Sequence, residues 1–501
     1  MTTKTRSLKL NIFANYVGQL YIAVIGIALL PLYIKYMGAE AYGLVGFFTM
    51  LQAWFGVLDL GLTPTISRET ARFKGGAITA LLFRQLFRAL AVVFFTVAII
   101  GGAILFFSSE IIATKWLSFE TLSNDEVVIA IKIMGASVAL RWVGGLYRGV
   151  VAGSEKLVWL SMFNSIIATL RFIGVFFSMW QFGFTPFVFF FHQLIVALIE
   201  FFGLAIKSQQ LLPSINANFD NIGWSFKPIK KILKFSLTIA FTASVWVFVT
   251  QTDKLILSGI LTLESYGYFT IAVLAANGIM LLSGPISSAI MPRMARLYAE
   301  QNYKEMIKVY RQSTQLVAVI AGSAAITLIV TAKPLLLAWT GDLYLAEQAA
   351  PILKLYAAGN LFLCVAAFPY YLQYTKGNLH YHLIGNIVLV IILIPSIIYA
   401  AINNGGLGAG YVWLIMNALF LFLWVAYVHK KLEPNLHVKW LFNDILKVIL
   451  PSALLGWGLA SIFPEVVNDR SMALFKVLAI SVMLFVLSFL FSDLYKSTKK
   501  I

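Results

Sequence analysis

Runs of about 20 apolar residues, separated by short polar segments, fill this sequence. Each run predicts a helix that crosses a bilayer, because a helix satisfies its own backbone hydrogen bonds in the hydrocarbon core. With 60% hydrophobic and 12% charged residues, a soluble domain could not keep this surface in water. The sequence therefore predicts an all-α polytopic membrane protein with about fourteen transmembrane helices. The predicted spans are residues 12–35, 42–63, 83–107, 127–152, 157–180, 186–206, 235–260, 266–290, 314–339, 349–372, 380–402, 409–429, 448–463 and 473–492.

The loops between these runs alternate in charge. One set is rich in lysine and arginine, as in 227–234 and 304–311, and the other set is poor in cations, as in 110–126. The positive-inside rule places the cation-rich set in the cytoplasm, together with both termini. The cations behind the net charge of +17 lie mostly in these short loops, so the charge does not indicate a nucleic-acid partner.

A short internal repeat suggests that the chain arose by duplication. The segment 40–43 (Glu-Ala-Tyr-Gly) recurs at 264–267 (Glu-Ser-Tyr-Gly), an offset of about 224 residues. A repeat unit of six helices, an even number, runs parallel to its copy. The expected divisions are an N-terminal six-helix lobe at 1–206, a cytoplasmic amphipathic linker at 207–234, a C-terminal six-helix lobe at 235–429 and two additional transmembrane helices at 430–501.

The sequence contains no recognisable motif for catalysis or metal binding. It lacks a G-x-x-x-x-G-K-[ST] phosphate loop, has no histidine and cysteine cluster at metal-ligand spacing, and holds a single cysteine, Cys364. We therefore expect no catalytic residue, no metal and no cofactor. Two parallel six-helix lobes favour a secondary transporter whose site lies between the lobes near the membrane midplane.

Three arginines fall inside predicted spans: Arg141 and Arg148 in 127–152, and Arg171 in 157–180. A guanidinium at bilayer depth costs ~2.5–3.5 kcal/mol, so such a residue faces protein or water and often marks a substrate pathway. The spacing of Arg141 and Arg148 places both on one helix face. Because the guanidinium fork matches phosphate oxygens, we interpret all three as pyrophosphate-binding residues. The alternatives are structural pairing with a carboxylate and, for Arg148, extension to the cytoplasmic interface.

Four other ionisable residues within the spans are candidates for binding a coupling proton or sodium ion, since intramembrane acids and histidines often form such pathways. Structural roles are the alternative. Asp59 would then neutralise Arg148 or Arg68, and His192 would be a hydrogen-bonded helix contact. The four candidates are Asp59, Glu200, Asp253 and His192.

Lys254 is a fourth candidate for binding phosphate, with extension to the outer interface as the alternative. It follows Asp253 directly, and neighbours on a helix lie about 100° apart, so we do not expect the two to pair face to face. Amide side chains within the spans are candidates for contacts with sugars. They are Asn164, Gln251, Asn277 and Asn386.

Several short motifs, strongest in helices one, two and seven, together carry a resemblance to a known family. They are the Asn11–Asn15 run, Tyr36-Met-Gly38 with Tyr42-Gly43, Leu58-Asp59-Leu60-Gly61-Leu62, Ser67-Arg68 with Ala71-Arg72, and Gln251-Thr-Asp253-Lys254 with Tyr266-Gly267-Tyr268. With these motifs the chain resembles, over nearly its whole length, the Wzx-type oligosaccharide flippases. Their superfamily (MOP) also includes the multidrug and toxin extruders (MATE) and the lipid II flippases.

The resemblance implies a MATE-like fold in the bacterial cytoplasmic membrane. It also implies a flippase that moves undecaprenyl-pyrophosphate-linked oligosaccharide from the inner to the outer leaflet, for O-antigen, capsule or exopolysaccharide synthesis. Partners would be this lipid-linked substrate and membrane lipid, with polysaccharide polymerase and chain-length proteins as further candidates. Two other functions stay open: a cation-coupled multidrug exporter of the same superfamily, and a membrane-embedded glycosyltransferase or ligase. Dominant arginine argues against the first, and small outer loops argue against the second.

Overall fold

The computed structural model of this protein describes residues 17–213, 225, 227–462 and 469–498. Nearly all of these residues are helical, and the one β-bridge among them, between Ser118 and Thr262, extends into no strand. The predicted all-α class is therefore confirmed for the described part of the chain. By their contacts the helices form two compact units, Met1–Glu264 and Ser265–Ile501.

Eight principal helices belong to the first unit. Their bounds are α1 Val17–Met37, α2 Ala39–Val57, α3 Leu62–Lys74, α4 Ala80–Phe107, α5 Asn124–Gly153, α6 Leu157–Phe182, α7 Pro186–Leu211 and α8 Lys227–Ser258. Another eight helices account for most of the second unit. Their bounds are α9 Leu263–Ala299, α10 Tyr303–Val330, α11 Ala332–Thr340, α12 Leu343–Thr375, α13 His380–Leu432, α14 Leu436–Ile462, α15 Arg470–Phe491 and α16 Asp493–Thr498.

The number of spans agrees with the sequence prediction. Eleven described helices are long and apolar enough to cross a membrane, or twelve if the bent pair α2 and α3 is one span. Helix α13 contains the non-helical residues Asn404 and Gly405, and this kink divides its 53 residues into two spans. With α8, which is 32 residues long, the total reaches the predicted fourteen.

The contact-based units and the sequence-based lobes differ in the place of α8. This helix packs on α2, α3 and α4 and belongs to the first unit, whereas the sequence division assigns its residues from 235 onward to the second lobe. Part of the predicted linker is helical, because α7 extends to Leu211 and α8 begins at Lys227. Residues 214–224 and 226 of the linker lie outside the described residues. The lobe boundaries therefore remain a prediction.

Helix α5 is the centre of the first unit. Ser123 and Glu126 form a capping box at its start, where the Ser123 hydroxyl accepts from the Glu126 amide at 3.3 Å and the Glu126 carboxylate accepts from the Ser123 amide at 3.0 Å. In the most apolar stretch of α5, 56% of the residues are buried inside the protein, against 22% in that of α6. Near its end, a Cβ at Gly153 would collide with the Ser67 carbonyl oxygen of α3, so this approach requires glycine. Helix α5 ends at Gly153 and α6 begins at Leu157, so the predicted joint between the fourth and fifth spans is confirmed.

The bend between α2 and α3, 55°, is built by specific backbone and side-chain features. Leu60 and Gly61 both have positive φ, 47° and 68°, which ends α2 and reorients the chain. Asp59 accepts from the Thr63 amide at 3.2 Å and from the Thr63 hydroxyl at 2.6 Å, so it caps the first turn of α3. This local structural role differs from the alternative considered from the sequence, in which Asp59 neutralises Arg148 or Arg68. The unpaired backbone N–H groups at the start of α3 favour a nearby side-chain acceptor, and the Asp59 carboxylate supplies it.

In the second unit, a polar network fixes α14 to α10. The Asp444 carboxylate accepts from Arg311 Nε at 2.6 Å, from Arg311 Nη2 at 3.0 Å and from Gln315 Nε2 at 2.8 Å. Beside it the fully buried Trp440 donates its indole N–H to the Thr314 hydroxyl at 2.9 Å. The region after residue 430 thus belongs to the compact core of this unit.

The capping role of Asp59 can be tested by substitution. We expect Asp59→Ala to lower the free energy of unfolding by ~1 kcal/mol, because the first turn of α3 loses its side-chain acceptor. Asp59→Asn keeps a carbonyl oxygen at the same place and should lose less than half of that. Melting in detergent, followed by tryptophan fluorescence, measures both. An unchanged melting temperature for Asp59→Ala would contradict the assignment.

Candidate functional site

The three predicted arginines come together in the first unit, on α5 and α6 and facing α7. Arg141 and Arg148 both approach the same carboxylate, that of Glu200 on α7. Their shared helix face is thus confirmed. Arg171 lies within electrostatic reach of Glu200 and Arg148, and Arg141 lies within reach of Arg171. The sequence spacing predicted that Arg141 and Arg148 lie together, and the fold brings Arg171 to them.

Arg148 makes the strongest ion pair of the group. Its Nη2 donates to Glu200 Oε1 at 2.6 Å, and its Nη1 donates to Asn164 Oδ1 of α6 at 2.9 Å. The side chain of Arg148 is 34% exposed and that of Glu200 is 12% exposed. A charge-assisted hydrogen bond of this length ties α5 to α7, and the Asn164 contact ties it to α6.

Arg141 is held mainly by neutral amides. Its Nη1 donates to Gln52 Oε1 of α2 at 2.8 Å, and its Nη2 donates to Gln193 Oε1 of α7 at 3.1 Å. Its Nε lies 3.9 Å from Glu200 Oε2, too far for a hydrogen bond, and both atoms are buried without a hydrogen-bond partner among the described residues. The ion pair between Arg141 and Glu200 is therefore incomplete.

Arg171 differs from the other two arginines because no carboxylate lies in ion-pair contact with it within the described residues. Its buried Nε has no hydrogen-bond partner there, and its guanidinium lies 5.5 Å from the centroid of the Phe172 ring. It belongs to a π-helical turn, Leu170–Gly174, that interrupts α6. A cation in this position has its charge only partly compensated.

The electrostatics of the cluster favour an anion. One carboxylate, Glu200, cannot neutralise three guanidinium groups, and all four residues lie within candidate membrane spans. Water is scarce in such a region, so uncompensated positive charge is costly unless an anion or a hydrated space is nearby. Guanidinium groups present paired N–H donors that match the oxygens of a phosphate. The arrangement is thus suited to binding a phosphorylated group.

Asp253 and Lys254 are in ion-pair contact, although as helix neighbours they were not expected to pair face to face. Lys254 Nζ lies 3.7 Å from Asp253 Oδ1, and it also donates to the Thr250 carbonyl at 2.5 Å. The long lysine chain folds back along α8, which overcomes the angular separation of the two Cα positions. These contacts of Lys254 lie within its own helix, and a role in binding phosphate remains a prediction.

Of the four amide side chains predicted to contact sugars, only Asn164 is brought to the arginine cluster by a hydrogen bond. Gln251 donates to the Thr250 hydroxyl at 3.3 Å. In the second unit, Asn277 accepts from Asn360 at 3.2 Å, and the Asn386 amide bonds the His382 ring at 3.0 Å. Their contact with a substrate remains a prediction.

The coupling-ion candidates have varied surroundings. Glu200 carries the ion pairs described above, and Asp59 caps α3. His192 bonds the Leu170 carbonyl at 2.9 Å and the Ser178 hydroxyl at 2.8 Å, in agreement with the alternative of a hydrogen-bonded helix contact. The coupling role of all four remains a prediction.

Sequence reasoning missed two residues of the cluster, Gln52 and Gln193. Both lie in apolar runs, where an amide side chain needs a buried partner. That placement was the available signal, but the partner, Arg141, is 89 residues from Gln52 and 52 residues from Gln193. The sequence gives no indication of contacts over such separations.

Glu200 should be the main compensating charge of the cluster. We expect Glu200→Gln to lower the free energy of unfolding by ~1–3 kcal/mol, because Arg148 and Arg141 lose the one carboxylate that contacts them among the described residues. Added inorganic pyrophosphate should recover part of the loss by supplying an anion. Thermal melting in detergent, with and without pyrophosphate, measures both effects.

Glu347→Gln is the matched control for this prediction. Glu347 pairs with Lys333 at 2.8 Å, but its side chain is 49% exposed, so removal should cost less than ~1 kcal/mol. If the two variants melt alike, or if pyrophosphate raises the melting temperature of both equally, the cluster is not an anion-binding site.

The fold is that of a multi-pass helical membrane protein, and its buried charge cluster is suited to an anion. Among solved structures, the fold is similar to that of a lipid II flippase, MurJ, in an inward closed conformation. The TM-score is 0.75 at 14% identity, and the match covers 98% of this chain and 100% of that one. An inward-facing multidrug resistance MATE transporter of the MOP superfamily has a TM-score of 0.66 at 13% identity, over 85% of this chain and 99% of that one.

The chain belongs to the family of polysaccharide biosynthesis proteins, whose pattern matches residues 8–298. It is also 19% identical, over 341 residues, to a protein of Shigella flexneri assigned as an O-antigen transporter. That match covers 66% of this chain and 76% of the relative. The resemblance to the Wzx-type flippases of the MOP superfamily is thus confirmed, and with it the MATE-like fold.

Proposed function

We propose that this protein is a flippase for undecaprenyl-pyrophosphate-linked oligosaccharide repeat units. It moves them from the inner to the outer leaflet of the bacterial cytoplasmic membrane by alternating access, for synthesis of O-antigen, capsule or exopolysaccharide. Membership in the polysaccharide biosynthesis family supports this proposal, as does the similarity to an O-antigen transporter and to a lipid II flippase. Both termini lie in the cytoplasm, as the distribution of cations in the loops indicates.

The observation that carries the proposal is the surplus positive charge of the arginine cluster. A pyrophosphate is the most highly charged part of such a lipid, and it must pass an apolar region during translocation. The guanidinium groups of Arg141, Arg148 and Arg171 offer compensation for that charge, since among the described residues Glu200 is the one carboxylate in contact with Arg141 and Arg148. The same surplus would repel a cationic drug, which disfavours the multidrug exporter despite the shared fold.

Within the cluster the three arginines have different roles. Arg171 has no carboxylate in ion-pair contact in the described chain, so it is free to receive a phosphate oxygen first. Arg148 is partly exposed and exchanges its bond with Glu200 for a bond with the second phosphate. Arg141 is fixed by Gln52 and Gln193 and supplies charge without leaving its partners. Asn164, beside Arg148, is placed to contact the first sugar.

A reconstituted assay tests the role of Arg171. Purified protein in liposomes is given a fluorescent pyrophosphate-linked oligosaccharide, and the accessible fraction in each leaflet is measured with time. We expect Arg171→Ala to reduce the flipping rate at subsaturating lipid by about tenfold or more, because one charge-assisted contact is lost. Arg296→Ala is the matched control, since that side chain is 70% exposed and should not affect transport.

The same assay separates the competing functions. Unchanged flipping in Arg171→Ala would remove the arginine from substrate binding, and no flipping by the unaltered protein would contradict the proposed function itself. A new covalent product from radiolabelled lipid-linked sugar would instead indicate a glycosyltransferase or ligase. Uptake of a cationic dye driven by an ion gradient, without lipid flipping, would indicate the multidrug exporter.

A further inference from the structure

The π-helical turn Leu170–Gly174 has a pattern of hydrogen bonds that the proposed function does not use. Three consecutive backbone carbonyls in it each accept a bond from a side chain of another helix. His192 Nε2 bonds the Leu170 oxygen at 2.9 Å, Gln193 Nε2 the Arg171 oxygen at 3.0 Å, and the Tyr33 hydroxyl the Phe172 oxygen at 2.8 Å. The donors come from α1 and α7, on either side of α6.

These bonds explain how the turn is stable in a membrane span. A π-helical turn contains one residue more than an α-helical turn, which breaks the regular ladder and leaves carbonyls in need of donors. In a bilayer an unsatisfied carbonyl costs several kcal/mol, so such a turn requires partners from neighbouring helices. Tyr33, His192 and Gln193 supply those partners at the three carbonyls that surround Arg171.

Each donor is itself held in place. The Tyr33 ring is 3% exposed and stacks on Phe176 with a centroid distance of 5.0 Å. Because a carbonyl can only accept, His192 carries its proton on Nε2, and its Nδ1 accepts from the Ser178 hydroxyl at 2.8 Å. The three bonds therefore connect the turn to side chains with little freedom to move.

Gln193 links the turn to the second arginine. Its amide nitrogen donates to the Arg171 carbonyl at 3.0 Å, and its amide oxygen accepts from Arg141 Nη2 at 3.1 Å. One side chain thus fixes the backbone of Arg171 relative to the guanidinium of Arg141. The bridge uses the amide nitrogen as a donor and the amide oxygen as an acceptor at the same time, and it therefore requires an amide side chain.

We propose that Tyr33, His192 and Gln193 are positioning residues, which hold the π-helical turn and so direct the Arg171 guanidinium toward Arg141, Arg148 and Glu200. An α-helix turns about 100° per residue, so the extra residue of the turn changes the direction of the side chains within it. Without the three donors the turn relaxes, and Arg171 no longer points into the cluster. The inference rests on the proposed function, because Arg171 there receives the substrate's phosphate.

The test is a double-mutant cycle on the apparent affinity for the pyrophosphate-linked oligosaccharide, measured from the flipping rate against lipid concentration in liposomes. Tyr33→Phe removes only the hydroxyl and keeps the stacked ring. We expect it to weaken the apparent affinity by about three- to tenfold in the unaltered protein. In the Arg171→Ala background it should have no further effect, because Tyr33 acts through Arg171.

Tyr21→Phe is the matched control. The Tyr21 hydroxyl also connects α1 to α6, but it bonds the Thr169 hydroxyl at 2.7 Å and no carbonyl of the turn. It should leave the affinity unchanged. Equal losses in Tyr33→Phe and Tyr21→Phe, or a Tyr33→Phe loss that persists in the Arg171→Ala background, would overturn the proposal.

A second measurement follows the direction of the side chain independently of transport. Replacing the only cysteine by Cys364→Ser leaves a background in which Arg171→Cys places a single thiol at the site. Its rate of reaction with a negatively charged methanethiosulfonate should change about threefold or more when Tyr33→Phe is added, and not with Tyr21→Phe. An unchanged rate would contradict the positioning role. Absence of flipping by the unaltered protein would contradict the proposed function, while a changed thiol reaction rate would still support the positioning role.

Discussion

The contact on which the first unit depends is the one between Glu200 and the arginines of α5. A charge in a membrane span must be compensated, and the 2.6 Å bond between Arg148 and Glu200 does this while it fixes α5 against α7. Because the carboxylate also faces Arg141, at 3.9 Å, its charge is divided between two guanidinium groups. Arg171 is left with the smallest share of compensation. The anion preference of the region follows from that imbalance rather than from the number of arginines alone.

Polar residues in the spans of this protein perform two separable tasks. Asp59, Tyr33 and His192 bond to backbone groups where a helix is bent or widened, so they determine the path of the chain. Glu40, in the first turn of α2, acts similarly on a loop: its carboxylate accepts from the amides of Glu120 and Leu122, at 2.6 and 3.0 Å, and holds the segment before α5. Arg148 and Glu200 instead compensate charge. Substituting a residue that bonds to the backbone should lower stability and change affinity only through the path of the chain. Substituting a residue that compensates charge should change stability and affinity directly.

The sequence predicted the features that depend on apolar periodicity and on the cost of charge. The number of spans, the joint after Gly153 and the shared face of Arg141 and Arg148 are examples. It did not predict the cap made by Asp59, the pairing of Lys254 with Asp253, or the π-helical turn at Arg171. The first two are decided by local backbone geometry and side-chain length. The third depends on donors such as Tyr33, 139 residues away from the Phe172 carbonyl, which no local pattern reveals.

A flippase has to release its substrate as well as bind it, and the cluster is suited to both requirements. If three uncompensated guanidinium groups faced a pyrophosphate, the complex would be too stable for rapid turnover, since conduction requires binding that is favourable yet weak enough to leave. In the proposed function Glu200 would moderate this affinity, because each bond that Arg148 made to a phosphate would replace its bond to the carboxylate. Release restores the internal pair, so the free protein never exposes a fully uncompensated cluster to the bilayer. Arg171, which lacks such a partner among the described residues, then contributes most of the net affinity, and its orientation becomes the part of the site that the fold must control most closely.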